Sequence, residues 1–196
     1  GMTEYRFTKS DKEKDLRFDK YKKIIKDYCD YFHEQLFDKK NLHALQYLKD
    51  RKLSENIIKK FHLGYVPKNN DFKNLLLKKY SIDDIKLTGL YYLIEKNQTY
   101  IDRFNNRILF PIRNLSGDVI AFGGRIINNT NLAKYINSPE TEFFKKGRQL
   151  FNLNNAKDER PNTQEVIIVE GYMDVISLYN NGIKNVISNS GTAITE

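Results

Sequence analysis

Four apolar residues, Val166, Ile167, Ile168 and Val169, run straight into Glu170 and Gly171, and Asp174 stands four positions beyond the glutamate. An acid at the end of a buried-type strand is placed for metal chemistry, because parallel sheets collect ligands at the carboxyl ends of their strands. Mg²⁺ takes one or two protein oxygens and completes its shell with water and phosphate. Glu170 and Asp174 are therefore the candidate catalytic carboxylates, with Glu170 the candidate metal ligand. The competing reading is an acid favoured by the dipole at the start of the next helix. A second chemistry sits upstream. Between Arg103 and Arg148 eight basic side chains face three acids, a net +5 of the chain's +8 in under a quarter of its length. Positive charge concentrated on strands is the footprint of a surface that holds phosphates.

Within that stretch Arg103, Arg107, Arg125, Lys134, Tyr135, Asn137 and Lys146 are the candidate nucleic-acid and nucleotide contacts, and Tyr135 is suited to stacking on a base. Arg107 reads equally as a brace for a turn, and Arg113 reads as structural. Gly123-Gly124, directly before Arg125, are expected to let a phosphate or base approach the backbone in preference to serving a bulge. Ser138-Pro139-Glu140 is expected to shape a nucleotide-facing loop. His33, His43 and His62 have no partnered spacing and read as structural, and Cys29 reads as a small buried hydrophobe.

Helical spacing of Leu16, Tyr21, Ile24, Ile25, Tyr28, Tyr31, Phe32 and Leu36 predicts a helix over about 15–37, and Leu42, Leu45 and Leu48 continue in a second one. Ser54, Asp71 and Ser81 are candidate caps of short helices, the last with Asp84 in a capping-box spacing. This part reads as a helical bundle. From Tyr91 the apolar period shortens to that of strands, with Asn114 to Gly117 as a hairpin turn. After Pro161 the order is strand, helix, strand, which opens a parallel sheet. The fold class is thus mixed, α+β with α/β: a helical segment over 1–90, a basic mixed sheet over 91–160, and the beginning of a parallel unit over 161–196.

The chain has 196 residues, 40% hydrophobic and 13% aromatic, enough for a core and too apolar in its periodic segments for disorder. One cysteine forms no internal disulfide, the three histidines give no zinc spacing, and no apolar run is long enough to span a bilayer. A protein of a reducing compartment, without a zinc site and without a membrane partner, is expected.

The runs RFNNRILFPI, GDVIAFGGR, KYINSPET, FFKKGRQLFNL, VIIVEGYMD and SNSGTAIT, in that order and at those intervals, resemble the RNA polymerase core of bacterial DnaG-type DNA primases. YLKDRKLSENIIKKFHLGYVP resembles an earlier region of the same family, so the likeness covers roughly 20–196. It implies a cytoplasmic bacterial enzyme that binds single-stranded DNA on a basic ridge and joins ribonucleoside triphosphates into RNA primers with Mg²⁺ or Mn²⁺. It also implies that Glu170 and Asp174 belong to a Toprim metal site and that Arg103, Arg125, Lys134, Tyr135, Asn137 and Lys146 form the ridge. Asn105 and Asn106 stand where many family members have a further basic residue. No Cys/His cluster precedes residue 20, and the sequence stops before the family's Asp-x-Asp strand and helicase-interacting region, so a fragment with little polymerising activity of its own is expected. The alternatives are another Toprim nucleotidyltransferase, such as a phage primase-helicase, or a noncatalytic nucleic-acid-binding module.

Overall fold

The computed structural model describes residues 9–128 and 131–189, with side chains described from residue 12 onward. The first helix, α1 (Lys9–Phe37), buries Tyr21, Ile24, Ile25, Tyr28, Cys29, Phe32 and Leu36, the i, i+3, i+4 stripe its sequence carries. Leu16 departs from the expectation. It lies before the first buried residue of the stripe and is 66% exposed, although Phe18 nearby packs on the Phe143 ring. Next come α2 (Leu42–Asp50), α3 (Glu55–Lys60), α4 (Phe72–Leu77) and α5 (Ile82–Lys86). Ser54 caps α3 by accepting the Ile57 N–H, and Ser81 caps α5 by accepting the Asp84 N–H. Asp71 makes no such bond; Asn70 accepts the Phe72 N–H in its place.

The helical part is not a self-contained bundle. It contributes a strand, β1 (Gly64–Val66), which pairs antiparallel with β4 (Arg107–Arg113), and that strand pairs in turn with β5 (Val119–Ile126) and β5 with β6 (Tyr135–Asn137). The sheet order is β1-β4-β5-β6. A separate hairpin of β2 (Tyr91–Ile94) and β3 (Thr99–Asp102) stands between α5 and β4. The Asn114–Gly117 turn joins β4 to β5 as expected, with Gly117 at φ 92° and Asn114 accepting the Asp118 N–H.

Alternation along β4 sends Ile108, Phe110 and Ile112 to one core and Leu109 to the other. The first core holds α2, α3 and α7 (Tyr172–Asn180), and the second holds α1 with Phe72, Tyr91 and Phe104. The sheet is thus covered on both faces by helices. After α6 (Leu153–Ala156), β7 (Ile167–Val169) and β8 (Val186–Ser188) pair parallel around α7, in the expected strand, helix, strand order. The expectation of a buried β7 does not hold. Val166, Ile167 and Ile168 are 49%, 39% and 56% exposed, because α7 packs onto the β4–β5 core through Tyr172, Met173, Val175 and Ile176 while the residues of β7 leave much of their surface open.

Candidate nucleic-acid interface and carboxylate end

The register of β5 and β6 sets Arg125 opposite Tyr135. The Arg125 guanidinium lies 5.1 Å from the Tyr135 ring centroid and 5.5 Å from that of Tyr47 on α2, and its Nη1 donates to the Tyr135 hydroxyl. Arg51, one turn after Tyr47, lies 4.7 Å from the outer side of the same system, over the Tyr47 ring. Cation and aromatic therefore alternate in the order Arg51, Tyr47, Arg125, Tyr135, an arrangement that fixes planar guanidinium groups in place. Arg125 is only 7% exposed, and its Nε is buried without a partner. Burial pushes the Tyr135 phenol upward in pKa, and the neighbouring Arg125 charge draws it back.

Tyr47 and Arg51 lie in the YLKDRKLSENIIKKFHLGYVP run but are not among the candidate contacts. Their signal is an i, i+4 aromatic–arginine pair at the end of α2, whose meaning appears only once β5 delivers Arg125 beside it.

The remaining basic candidates divide. Lys134 is exposed, and its carbonyl accepts the Ile126 N–H. Arg107 is 5% exposed and its Nη1 donates to the carbonyls of Ala133 and Lys134 at 2.9 and 3.3 Å. It is a brace that holds the segment carrying Lys134, and burial lowers its pKa. Of the two readings the sequence left open for Arg107, these Nη1 bonds support the brace. Arg103 donates to the Gly89 carbonyl at 3.0 Å and lies 5.8 Å from the Tyr92 ring, outside the Arg125 stack. Lys146 is partly exposed and its N–H donates to Glu140. Arg113 is structural as read, bonding the Gly117 carbonyl at 2.7 Å.

Gly123 and Gly124 overturn a second expectation. Both are buried in mid-β5; a Cβ at Gly123 would sit 2.3 Å from Tyr172 Cε2, and one at Gly124 would sit 2.5 Å from Phe104 Cδ1. The space that glycine opens is filled by aromatic rings, not by a ligand. Ser138 likewise turns inward, its hydroxyl accepting the Phe122 N–H at 3.0 Å.

Tyr172 connects the ridge to the carboxylate end. Its hydroxyl donates to Asn137 Oδ1 at 2.6 Å and its ring stacks on Phe110 at 5.2 Å, while Glu170 lies two residues before it. Glu170 is exposed at the end of β7. Asp174 is also exposed, and its Oδ2 accepts the Gly171 N–H at 3.2 Å, so one oxygen serves the start of α7. The two acids offer hard oxygen donors of the kind Mg²⁺ uses. Among the described residues no three His, Cys, Asp or Glu side chains come together to hold a metal ion. The histidines are structural as read: His33 stacks on His62 at 3.9 Å and meets the Leu63 carbonyl, His62 meets Asp30, and His43 meets Tyr65. No helix among the described residues is long and apolar enough to cross a membrane.

Comparison with known proteins adds the family. Residues 31–157 match the family described as "DNA primase catalytic core, N-terminal domain", and residues 164–196 match the Toprim domain. The chain is 41% identical to a DNA primase of Buchnera aphidicola subsp. Baizongia pistaciae over 88% of its own length and 29% of that protein. It is 39% identical to a DNA primase of Clostridium acetobutylicum over 92% of its length and 30% of that protein. The chain thus spans 29% and 30% of the length of these two curated relatives. It superposes on the DnaG primase catalytic domain bound to ssDNA with a TM-score of 0.83 and 32% identity, covering 92% of this chain and 56% of that one. For the RNA polymerase domain of Mycobacterium tuberculosis primase DnaG the TM-score is 0.82 at 28% identity, covering 91% and 58%. The chain belongs to the DNA primase catalytic core family, with the N-terminal domain of that core over residues 31–157 and a Toprim domain from residue 164.

Proposed function

We propose that this chain is the part of a DNA primase that holds the single-stranded template beside the metal-binding carboxylates, in a protein that joins ribonucleoside triphosphates into short RNA primers. The observation that carries the reading is the alternating Arg51, Tyr47, Arg125, Tyr135 array, joined through Asn137 and Tyr172 to the strand end that bears Glu170. Guanidinium groups held on rings present donors to phosphate, and partly exposed tyrosines offer faces to bases. Arg125, Lys134, Tyr135, Asn137 and Lys146 are the proposed contacts, with Arg51 added, Arg103 at the margin and Arg107 positioning Lys134. The proposed units are 1–90, 91–160 and 161–196, and the last boundary agrees with the gap between the two family matches.

Glu170 and the free oxygen of Asp174 are the residues proposed to hold Mg²⁺ or Mn²⁺, which when bound neutralises charge developing on the transferred phosphoryl group. Tyr172 keeps this end of α7 against the ridge, so that a template on Arg125 and a nucleotide at Glu170 meet across one short span. A replicative helicase is the proposed partner of the whole protein.

Fluorescence anisotropy with a single-stranded oligonucleotide tests the reading. Affinity falls steeply between low and moderate salt, because each contacting Lys or Arg displaces condensed counterions. Lys134→Ala and Arg125→Lys each weaken binding by about tenfold or less, the second because a lysine lacks the planar stack. Binding flat in salt, or unchanged by both substitutions, refutes the ridge. In a longer chain that polymerises, Glu170→Gln abolishes synthesis and leaves DNA binding intact; full synthesis by that variant refutes the metal role.

A further inference from the structure

On the side of the fold formed by the β2–β3 hairpin and the segment before α4 lies a polar cleft of about 390 Å³, within the range of about 300–1,000 Å³ typical of small-molecule sites. Two of its lining residues each carry a buried polar atom without a hydrogen-bond partner, Asp102 Oδ2 and Tyr91 Oη. The other carboxylate oxygen of Asp102 is fully engaged, accepting from the Tyr28 hydroxyl at 2.8 Å and the Phe104 N–H at 2.9 Å. The Asn70 amide on the wall donates to the Pro67 carbonyl at 3.3 Å and also pulls on the Asp102 carboxylate. Lys68 and Lys73 also line it, Lys73 Nζ donating to the Tyr100 carbonyl at 3.4 Å, with Asp71 the one further acid.

Native folds rarely leave a buried carboxylate oxygen and a buried phenol unsatisfied, and here they belong to residues opposite each other in the β2–β3 register. The pair accepts from and donates to adjacent hydroxyls, the geometry by which an acidic side chain holds a ribose diol elsewhere. The two lining lysines suit a phosphate. We infer that the Asp102–Tyr91 cleft binds a phosphorylated vicinal diol, a ribonucleotide or a sugar phosphate, with the diol on Asp102 and Tyr91 and the phosphate at Lys68 and Lys73. The inference goes beyond the template ridge and does not depend on it.

Calorimetric titration of the chain with AMP, 2′-deoxyAMP, ribose 5-phosphate and inorganic phosphate decides it. AMP binds at least tenfold more tightly than 2′-deoxyAMP or phosphate, and a saturating single-stranded oligonucleotide does not displace it. Ribose 5-phosphate binding as tightly as AMP assigns the site to sugar phosphates; binding tenfold weaker assigns it to ribonucleotides. Tyr91→Phe removes a hydroxyl that bonds nothing in the fold, so the variant folds and binds DNA normally while AMP affinity drops at least tenfold. Asp102→Asn, which keeps an acceptor for Tyr28 and Phe104, also loses AMP. Absence of binding by either diol, equal binding of 2′-deoxyAMP, displacement by the oligonucleotide, or unchanged affinity in Tyr91→Phe overturns the proposal.

Discussion

Gly123→Ala separates the two reasons a glycine could stand in β5. The added Cβ would meet Tyr172 at 2.3 Å from Cε2, 2.5 Å from Cζ and 2.8 Å from Oη. Carbon atoms rest at roughly 3.5–4.0 Å, so the ring must retreat by more than about 1 Å. It has nowhere free to go: Tyr172 is 3% exposed, stacked on Phe110 at 5.2 Å, edge-on to Phe151 at 4.9 Å and bonded to Asn137. Overpacking of this kind costs about 1–3 kcal/mol, and losing the Tyr172–Asn137 bond adds about 1 kcal/mol. For a chain of this size each kcal/mol lowers Tm by about 2–4 °C, so a fall of roughly 4–15 °C is expected in thermal unfolding followed by circular dichroism. Truncating the ring as well, in Gly123→Ala/Tyr172→Ala, makes the two losses less than additive, because the clash vanishes with the ring. A Gly123→Ala variant with unaltered Tm but lost affinity for single-stranded DNA in anisotropy would falsify the packing account and restore the close approach of a ligand to the backbone.

Three further outcomes follow from buried groups. Burial pushes the Asp102 carboxyl from 3.8 up to about 6, against the pull of the Tyr28 hydroxyl, the Phe104 N–H and Asn70. The fold therefore holds this proton more tightly than the unfolded chain. Its contribution to stability is complete below about pH 4 and lost as pH rises through 6, a change of about 3 kcal/mol. Urea titrations should find Asp102→Asn gaining on the parent by that order between pH 4 and 7, and a difference constant with pH would contradict it. Arg107→Met removes the guanidinium donor from the Ala133 carbonyl and leaves the Lys134 carbonyl with only its Ile126 bond, and should cost about 1 kcal/mol in urea unfolding, with DNA affinity falling through loss of order at Lys134; an unchanged midpoint would remove the brace. Cys29 is 2% exposed, and burial pushes its thiol up to about 12. An alkylating reagent at pH 8 should label it only in denaturant, and rapid labelling of the folded chain would show the α1 face opening.

Local pattern sufficed wherever a residue's neighbours in sequence are also its neighbours in space. The buried stripe of α1, the Ser54 and Ser81 caps, the Asn114–Gly117 turn and the parallel β7–α7–β8 order all depend on contacts a few residues apart or on period alone. The ordered motifs also carried the family, because they preserve chemistry as well as shape. Tertiary structure decided the rest. β1 is three residues long, too short for a period, and becomes a strand only because β4 lies beside it, with Gly64 letting α1 pass where a Cβ would come within 3.0 Å of the Phe32 backbone. Glycine at 123 and 124 is ambiguous in sequence between room for a ligand and room for a ring. Only the docking of α7 and the Phe104 segment fills that room with Tyr172 and Phe104. An arginine's charge is legible in a sequence, but where its donors go is set by what packs against it. Arg107 therefore turned inward to two carbonyls, while Arg125 was held between Tyr47 of α2 and Tyr135 of β6, 88 positions apart along the chain.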